Sequence, residues 1–158
     1  RTFQIPNVFL NLSVLDNVLV SVKFAKKKSV DPIGDAVEAL RLVSLDNRKD
    51  ERAGTLNLFN KKLLMVATGL AADTKLLLLD EPIGGLNPVE VERTMDLIRE
   101  VSKHGVSIIL IEHIMKAIMG LSDRIMIMHY GEKLAEGTPE EVTNDQNVVQ
   151  AYLGEKYV

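Results

Sequence analysis

The sequence predicts an α/β fold in which helices come first and strands then alternate with helices. The unbroken apolar run Leu76–Leu79 is typical of a strand buried on both faces of a parallel sheet, and Val106–Ile111 is predicted to be a second buried strand. Helical patterns follow both runs, and strands that alternate with helices imply right-handed crossovers and helices on both faces of the sheet. The residues before this pattern have apolar positions at helical spacing and predict a separate α-helical part.

Three amphipathic helices are predicted in the first 72 residues. Ser13 is a suitable N-cap for the first, where Val14, Val18 and Val22 follow helical spacing. A lysine-rich loop is expected to continue through Asp31 and Pro32. The second helix is predicted over residues 35–45, a charged exposed connection over 47–54, and the third helix over 60–72.

The second half is predicted to alternate strands with helices. Pro88 suits the first position of a helix that runs to about Lys103, and Gly105 suits its end. Thr138 followed by a proline and two acids indicates another helix start. The remaining predictions are strands over 76–79, 106–111 and 125–129, a hairpin partner over 133–136, and helices over 114–121 and 146–153.

Composition excludes several classes of protein. The chain has 158 residues, which suits one domain or a large piece of one. It has no cysteine, so it forms no disulfide. A net charge of −3 and only 4% aromatic residues argue against nucleic-acid binding. No apolar run approaches the roughly 20 residues of a membrane-spanning helix.

Acidic residues follow the first predicted strand. Asp80 and Glu81 come where the run Leu76–Leu79 ends, and strand geometry would point these neighbours to opposite sides. One acid could then hold Mg²⁺ while the other polarises an attacking water. An acidic strand end without function would give the same pattern.

The second strand also ends in titratable side chains, Glu112 and His113. A histidine at the carboxyl end of a strand can contact a phosphate or a water, although a solvated histidine would also explain it. Ligands of parallel sheets bind beyond the carboxyl ends of the strands. We therefore expect Asp80, Glu81 and His113 to converge at neighbouring strand ends.

These segments resemble the ATPases of ABC transporters. LLLLDEPIGGLNP, residues 76–88, resembles their Walker B and D-loop region, and IILIEH resembles their switch-histidine strand. RTFQ resembles their Q-loop, and SDRIMIMHYGEKLAEGTPEEV resembles the strand, hairpin and helix that follow the switch. GLNP, IEHIMKAIMGLSDRI and the ending NVVQAYLGE are similar to the branched-chain amino-acid uptake branch.

The resemblance implies roles for individual residues. Gln4 would sense Mg²⁺ and the γ-phosphate, and Asp80 would bind Mg²⁺ through water. Glu81 would be the catalytic base, Asn87 would face a partner subunit, and His113 would contact the γ-phosphate. It implies a P-loop NTPase-like core with a helical subdomain, and ATP and Mg²⁺ as cofactors.

The resemblance also implies a domain division and partners. Residues 1–72 would form the Q-loop and a helical subdomain that docks onto a transmembrane permease. Residues 73–158 would form the Walker B and switch-histidine part of the ATPase core. A second ATPase subunit, identical or different, would complete a dimer at the cytoplasmic face of the membrane.

Two departures from the family pattern bear on activity. These 158 residues contain no G-x-x-x-x-G-K-[ST] loop, which supplies the backbone cradle for phosphates in this family. Because the chain starts at Arg1 without a methionine, we expect a fragment that is incomplete at its N-terminus. The chain alone is then expected to be inactive, to bind Mg-ATP weakly or not at all, and to self-associate or expose an apolar sheet edge with a row of uncovered side chains.

The second departure is in the signature motif. The stretch equivalent to Leu-Ser-Gly-Gly-Gln is Leu56–Asn60, with Leu58 and Phe59 at the glycine positions. Leu58, Phe59 and Asn60 would face the partner's nucleotide, but the bulky side chains would block close backbone approach. The neighbouring pair Lys61 and Lys62 could bind anions or form ordinary helix surface.

Two functions remain open at this point. The chain could be a piece of a working transport ATPase, with the damaged signature tolerated in a heterodimer. It could instead be a catalytically inactive ATPase-like module that binds a partner through its helical face.

Overall fold

The structure is a computed structural model that describes residues 7–25 and 29–153. Gln4 and the Lys26–Lys28 run lie outside the described residues. The chain divides into two compact units, Arg1–Glu112 and His113–Val158. The functional boundary expected between residues 72 and 73 stays a prediction.

The described residues form seven α-helices and four strands in an order close to the predicted one. The helices are α1 (Val14–Phe24), α2 (Pro32–Leu42), α3 (Leu58–Leu70), α4 (Pro88–Lys103), α5 (Met115–Leu121), α6 (Pro139–Thr143) and α7 (Gln146–Leu153). The strands are β1 (Leu76–Asp80), β2 (Ser107–Ile111), β3 (Ile125–His129) and β4 (Glu132–Gly137). None of these helices has the length and apolar character needed to cross a membrane.

Helices α1, α2 and α3 pack against one another in the first unit. Ser13 caps α1 as predicted, because its hydroxyl oxygen accepts the Asp16 N–H at 2.9 Å. Helix α2 starts earlier than predicted, since the Asp31 carboxylate accepts the Gly34 N–H at 3.0 Å and Pro32 takes the first helical position. The expected loop through Asp31 and Pro32 was therefore wrong. An aspartate before a proline is itself a helix-start signal.

The connection between α2 and α3 carries two short 3-10 turns and is attached to the start of α1. Glu51 and Lys49 carbonyl oxygens accept the N–H groups of Val14 and Leu15, each at 2.9 Å. These bonds satisfy backbone donors that a helix leaves unpaired in its first turn. Ala53 is fully buried, so the connection is exposed only in part.

The parallel sheet of the first unit consists of β1 and β2, with Leu78 opposite Ile109 and Asp80 opposite Ile111. Leu77 and Leu79 are buried, and Leu77 packs closely on α3 at Gly69, where an added methyl group would lie 2.7 Å from Leu77 Cδ1.

The prediction that this sheet is buried on both faces was wrong for the described residues. The other face is apolar but exposed, with exposed fractions of 46% at Leu76, 37% at Leu78, 51% at Ile109 and 57% at Ile111. The uncovered apolar side chains that the sequence predicted for this sheet are therefore present. Self-association stays a prediction.

The second unit is built around the antiparallel hairpin of β3 and β4. The third predicted strand, β3, pairs with β4 in a sheet separate from that of β1 and β2. Thr138 caps α6 as predicted, in a capping box with Glu141. The core of this unit combines β3 with α6 and α7, through Ile125, Ile127, Val142 and Val148, and the partly buried Leu134 and Ala135 of β4 pack against it.

Candidate functional site

The predicted Mg²⁺ ligand Asp80 and the predicted catalytic base Glu81 lie where β1 ends and a tight turn begins. We call residues 81–86 the acid turn. Asp80 is the last residue of β1 and is half-buried. The Glu81 N–H donates to the Ile111 carbonyl oxygen at 2.9 Å, which extends the pairing with β2 by one bond. Both acids therefore sit at the carboxyl end of the parallel sheet, where ligands of such sheets bind.

Glu81 has a backbone conformation that is uncommon for a residue with a side chain. Its φ is +46°, in the left-handed region. Because Glu81 lies outside the strand, strand alternation does not decide which side its carboxylate takes, and the opposite orientation of the Asp80 and Glu81 side chains stays a prediction. Residues in this region store about 1–3 kcal/mol of strain and cluster at functional sites.

The acid turn folds back on Glu81. The Gly84 N–H donates to the Glu81 carbonyl oxygen at 3.3 Å, and the Leu86 N–H donates to the Ile83 carbonyl oxygen at 3.3 Å. A methyl group at Gly84 would lie 3.7 Å from Glu81 Oε2. The glutamate side chain therefore lies against the backbone of its own turn.

Lys62 contacts this turn from α3. Its ammonium donates to the carbonyl oxygens of Glu81 at 2.8 Å and Gly84 at 2.7 Å, and the residue is 8% exposed. The interpretation of Lys62 as ordinary helix surface was wrong, and anion binding by Lys61 and Lys62 stays a prediction. It lies on the packed side of α3, among a continuous buried run from Leu63 to Ala67.

Glu112 contacts the same turn from the end of β2. Its Oε1 accepts the Ile83 N–H at 3.1 Å across 29 residues of sequence. The sequence marked Glu112 as a strand-end acid but gave it no role. Its signal was the same as that of Asp80, an acidic residue directly after an apolar run.

Burial and charge act in opposite directions on Lys62. Burial lowers the pKa of the Lys62 ammonium below its ordinary value, while the carboxylates of Glu112 and Glu81 raise it. Buried charges persist when they are paired and hydrogen-bonded. The lysine and the two glutamates thus form one electrostatic cluster around the acid turn.

The region expected to be the signature motif forms the start of α3. Asn57 caps the helix by accepting the Asn60 N–H at 3.0 Å, so Leu58, Phe59 and Asn60 occupy its first turn. Leu58 lies over the acid turn, because a methyl group at Gly85 would be 3.3 Å from Leu58 Cδ2. Nucleotide contacts of these three residues stay a prediction.

Asn87 has a capping role in the structure. Its Oδ1 accepts the N–H groups of Val89 and Glu90, each at 3.0 Å, and Glu90 Oε2 accepts the Asn87 N–H at 3.0 Å. This capping box starts α4 at Pro88, as predicted. A contact of Asn87 with a partner subunit stays a prediction.

His113 is exposed and lies between β2 and α5, as the first residue of the second unit. Its expected convergence with Asp80 and Glu81 stays a prediction. Gln4 lies outside the described residues, so its proposed contact with Mg²⁺ also stays a prediction.

Comparisons with known proteins give the family. Residues 132–158 match a family model described as a branched-chain amino acid ATP-binding cassette transporter. LivG of Escherichia coli K12, a high-affinity branched-chain amino acid transport ATP-binding protein, is 35% identical over 98% of this chain and 67% of its own length. BraF of Pseudomonas aeruginosa, of the same description, is 32% identical over the same shares. The chain thus spans about two thirds of these relatives.

Solved structures show the same fold. A nucleotide-free ATP-binding cassette from an ABC transporter matches with a TM-score of 0.82 and 26% identity, over 98% of this chain and 68% of that one. The cbiO1 protein of Clostridium perfringens, part of an ABC transporter complex, matches with a TM-score of 0.77 and 29% identity over 92% and 58%. The chain therefore belongs to the family of ABC-transporter ATP-binding subunits that includes the branched-chain amino acid transport proteins LivG and BraF.

Proposed function

We propose that this chain is part of the ATP-hydrolysing subunit of an ABC transporter that imports branched-chain amino acids. The relatives LivG and BraF support the transport class. The observation that carries the catalytic part is Glu81, a glutamate with φ +46° at the carboxyl end of a parallel strand. Its turn is fixed from two sides, by Lys62 and by Glu112.

Asp80 is the proposed Mg²⁺ ligand, with Gln4 as a further contact. No cluster of three or more histidine, cysteine or acidic side chains fit to hold a metal occurs within the described ranges. Asp80 suits this role because Mg²⁺ takes one or two carboxylates and obtains its other ligands from phosphates and water. Bound Mg-ATP would supply the γ-phosphoryl group and a neutralising charge at Asp80.

Glu81 is the proposed base that orients the attacking water, and His113 the proposed contact to the γ-phosphate. A carboxylate fixed beside the phosphate can position a water in line with the bond that breaks. Asn87, Leu58, Phe59 and Asn60 are proposed to face the second ATPase subunit. Residues 1–72 are proposed to contact the permease at the cytoplasmic face of the membrane.

These 158 residues contain no phosphate-binding loop, so we propose that they bind Mg-ATP weakly on their own. Backbone N–H groups and a lysine of that loop supply most of the grip on the phosphates in P-loop proteins. Isothermal titration calorimetry of the 158-residue chain should therefore detect no micromolar affinity.

A second function is favoured by the start of α3. Leu58 contacts the acid turn at Gly85, and a helix turn carrying Leu58 and Phe59 replaces a glycine loop. A chain with this feature could act as an inactive ATPase-like module that binds a partner. The two functions differ in whether Glu81 matters for hydrolysis.

The substitution Glu81→Gln in the assembled transporter tests the first function. We expect ATP hydrolysis to fall by about 100-fold or more, while Mg-ATP binding is retained, because the amide keeps the shape but not the basicity. Glu132→Gln, at an exposed carboxylate on β4, is the control and should hydrolyse at the original rate. Unchanged hydrolysis in the Glu81 variant would favour the inactive module.

A further inference from the structure

Lys62 is a buried lysine whose ammonium donates hydrogen bonds to the backbone. It bonds two carbonyl oxygens of one turn, at residues 81 and 84, from a helix 19 and 22 residues earlier in the chain. Bonds from a charged donor are about twice as strong as those between neutral groups. A buried lysine is costly unless it is paired, so its place on the packed side of α3 needs a compensating contact.

Two other contacts hold the same turn. Glu112 accepts the Ile83 N–H from the end of β2. At the start of α3, Leu58 lies against Gly85, whose φ is +75°. The acid turn is therefore fixed by α3 at both ends and by β2 in its middle.

We propose that Lys62 is a positioning residue that holds the acid turn in the conformation that presents Glu81. A left-handed conformation at a non-glycine residue persists only when its surroundings over-determine it. Lys62 supplies that restraint, because it binds the carbonyl group of Glu81 itself and closes the turn at Gly84. The inference rests on the proposed function for the role of Glu81, but the restraint on the turn can be measured independently.

The consequence is a specific pattern of local stability. Without the ammonium, two carbonyl oxygens lose a charged partner, while the turn keeps its internal bonds, the bond from the Glu81 N–H to Ile111 and the bond to Glu112. The amides of Ile83 and Gly84 would then open more often, while the helical packing of α1 and α2 stays intact. Lys62 thus controls the order of the acid turn more than the stability of the whole unit.

Native-state hydrogen exchange of the 158-residue chain, read by NMR, tests this. Lys62→Met keeps the length and apolar stem of the side chain but removes the charge and the donors. We expect the Ile83 and Gly84 amides to exchange about tenfold faster, with α1 and α2 amides within about twofold of the original rates. Lys61→Met, at the half-buried neighbour on the same helix, is the matched control and should leave the turn unchanged.

Lys62→Arg keeps the charge and donors and should exchange more slowly at the turn than the methionine variant. Original rates at Ile83 and Gly84 in Lys62→Met would overturn the proposal. An equal rise in α1, α2 and the turn would also overturn it, since Lys62 would then be a general core residue. So would an arginine variant as fast as the methionine variant.

The assembled transporter supplies a second readout. Lys62→Met should lower kcat for ATP hydrolysis with little change in KM, and Lys62→Arg should restore part of kcat. If Glu81→Gln leaves hydrolysis unchanged, the proposed function fails, yet the exchange experiment still decides whether Lys62 restrains the turn. If Glu81→Gln abolishes hydrolysis and Lys62→Met leaves kcat unchanged, the positioning role fails alone.

Discussion

Asn17 and Lys62 are both buried polar residues of the first unit, and each holds a different backbone segment through hydrogen bonds. Asn17 is 2% exposed and joins the segment before α1 to the helix. Its Oδ1 accepts the Phe9 N–H at 2.8 Å, and its Nδ2 donates to the carbonyl oxygens of Phe9 at 3.1 Å and Ser13 at 2.8 Å. Lys62 likewise bonds only backbone in the contacts described above, but it carries a charge into the interior.

The two residues differ in the free-energy cost of burying their side chains. A neutral amide with its hydrogen bonds made is stable in an apolar core. A buried ammonium also needs nearby negative charge, and Glu112 and Glu81 provide it. The buried Asn17 therefore stabilises the helical region, whereas the buried Lys62 holds the strained backbone of the acid turn next to carboxylates.

Asn17→Ala should have the largest effect on global stability of the three substitutions that probe this comparison. The substitution removes three hydrogen bonds of a buried side chain and leaves part-buried backbone groups of Phe9 without these partners, so we expect a loss of about 2–3 kcal/mol in the free energy of unfolding. Urea unfolding followed by circular dichroism measures it. Asn11→Ala, at an exposed asparagine in the same segment, should change stability by less than about 0.5 kcal/mol. Equal effects from both variants would contradict a special role for Asn17.

Glu112→Gln should have an intermediate effect. The amide oxygen can still accept the Ile83 N–H, but the negative charge that opposes the desolvation of Lys62 is lost. We expect a destabilisation of about 1 kcal/mol at neutral pH and a further fall in the pKa of Lys62. Urea unfolding and NMR titration of the Lys62 side chain measure the two effects, with Glu132→Gln as the control. If the pKa of Lys62 is the same in the Glu112→Gln variant, Glu112 does not belong to the electrostatic cluster around the acid turn.

The substitution Glu141→Gln should have the smallest effect of the three, because the Glu141 side chain is exposed. Hydrogen bonds from the backbone N–H and the hydroxyl of Thr138 lower the pKa of the Glu141 carboxyl below its ordinary value of 4.5. A carboxyl with a lowered folded pKa stabilises the fold above 4.5, and that contribution is lost as pH falls through the folded value.

In the original protein, the Thr138 amide should therefore exchange with solvent faster at pH 3 than the intrinsic pH dependence of amide exchange accounts for. In the Glu141→Gln variant, the exchange of this amide should show no such additional increase. NMR exchange measurements on α6 decide this. An identical pH dependence in both proteins would show that the capping box does not depend on the charge of Glu141.

Local signals in the sequence were enough for most elements. Ser13, Pro88 and Thr138 start helices where the sequence predicted them, and β3 and α7 have the predicted bounds. The family and the fold class were also readable, because the Walker B and switch-strand segments have characteristic residues in a fixed order. The start of α2 was missed only because the Asp31 cap was taken as loop.

The sequence by itself determined the helices, the strands and the acidic residues at the strand ends, because caps and periodicity depend on residues within about four positions of one another. Only the tertiary structure decided that Lys62 is buried and that Glu81 adopts φ +46°. The bonds behind the site join residues 19, 22 and 29 positions apart. Such contacts form only when α3 and β2 dock on the acid turn, and no local pattern of residues specifies that docking.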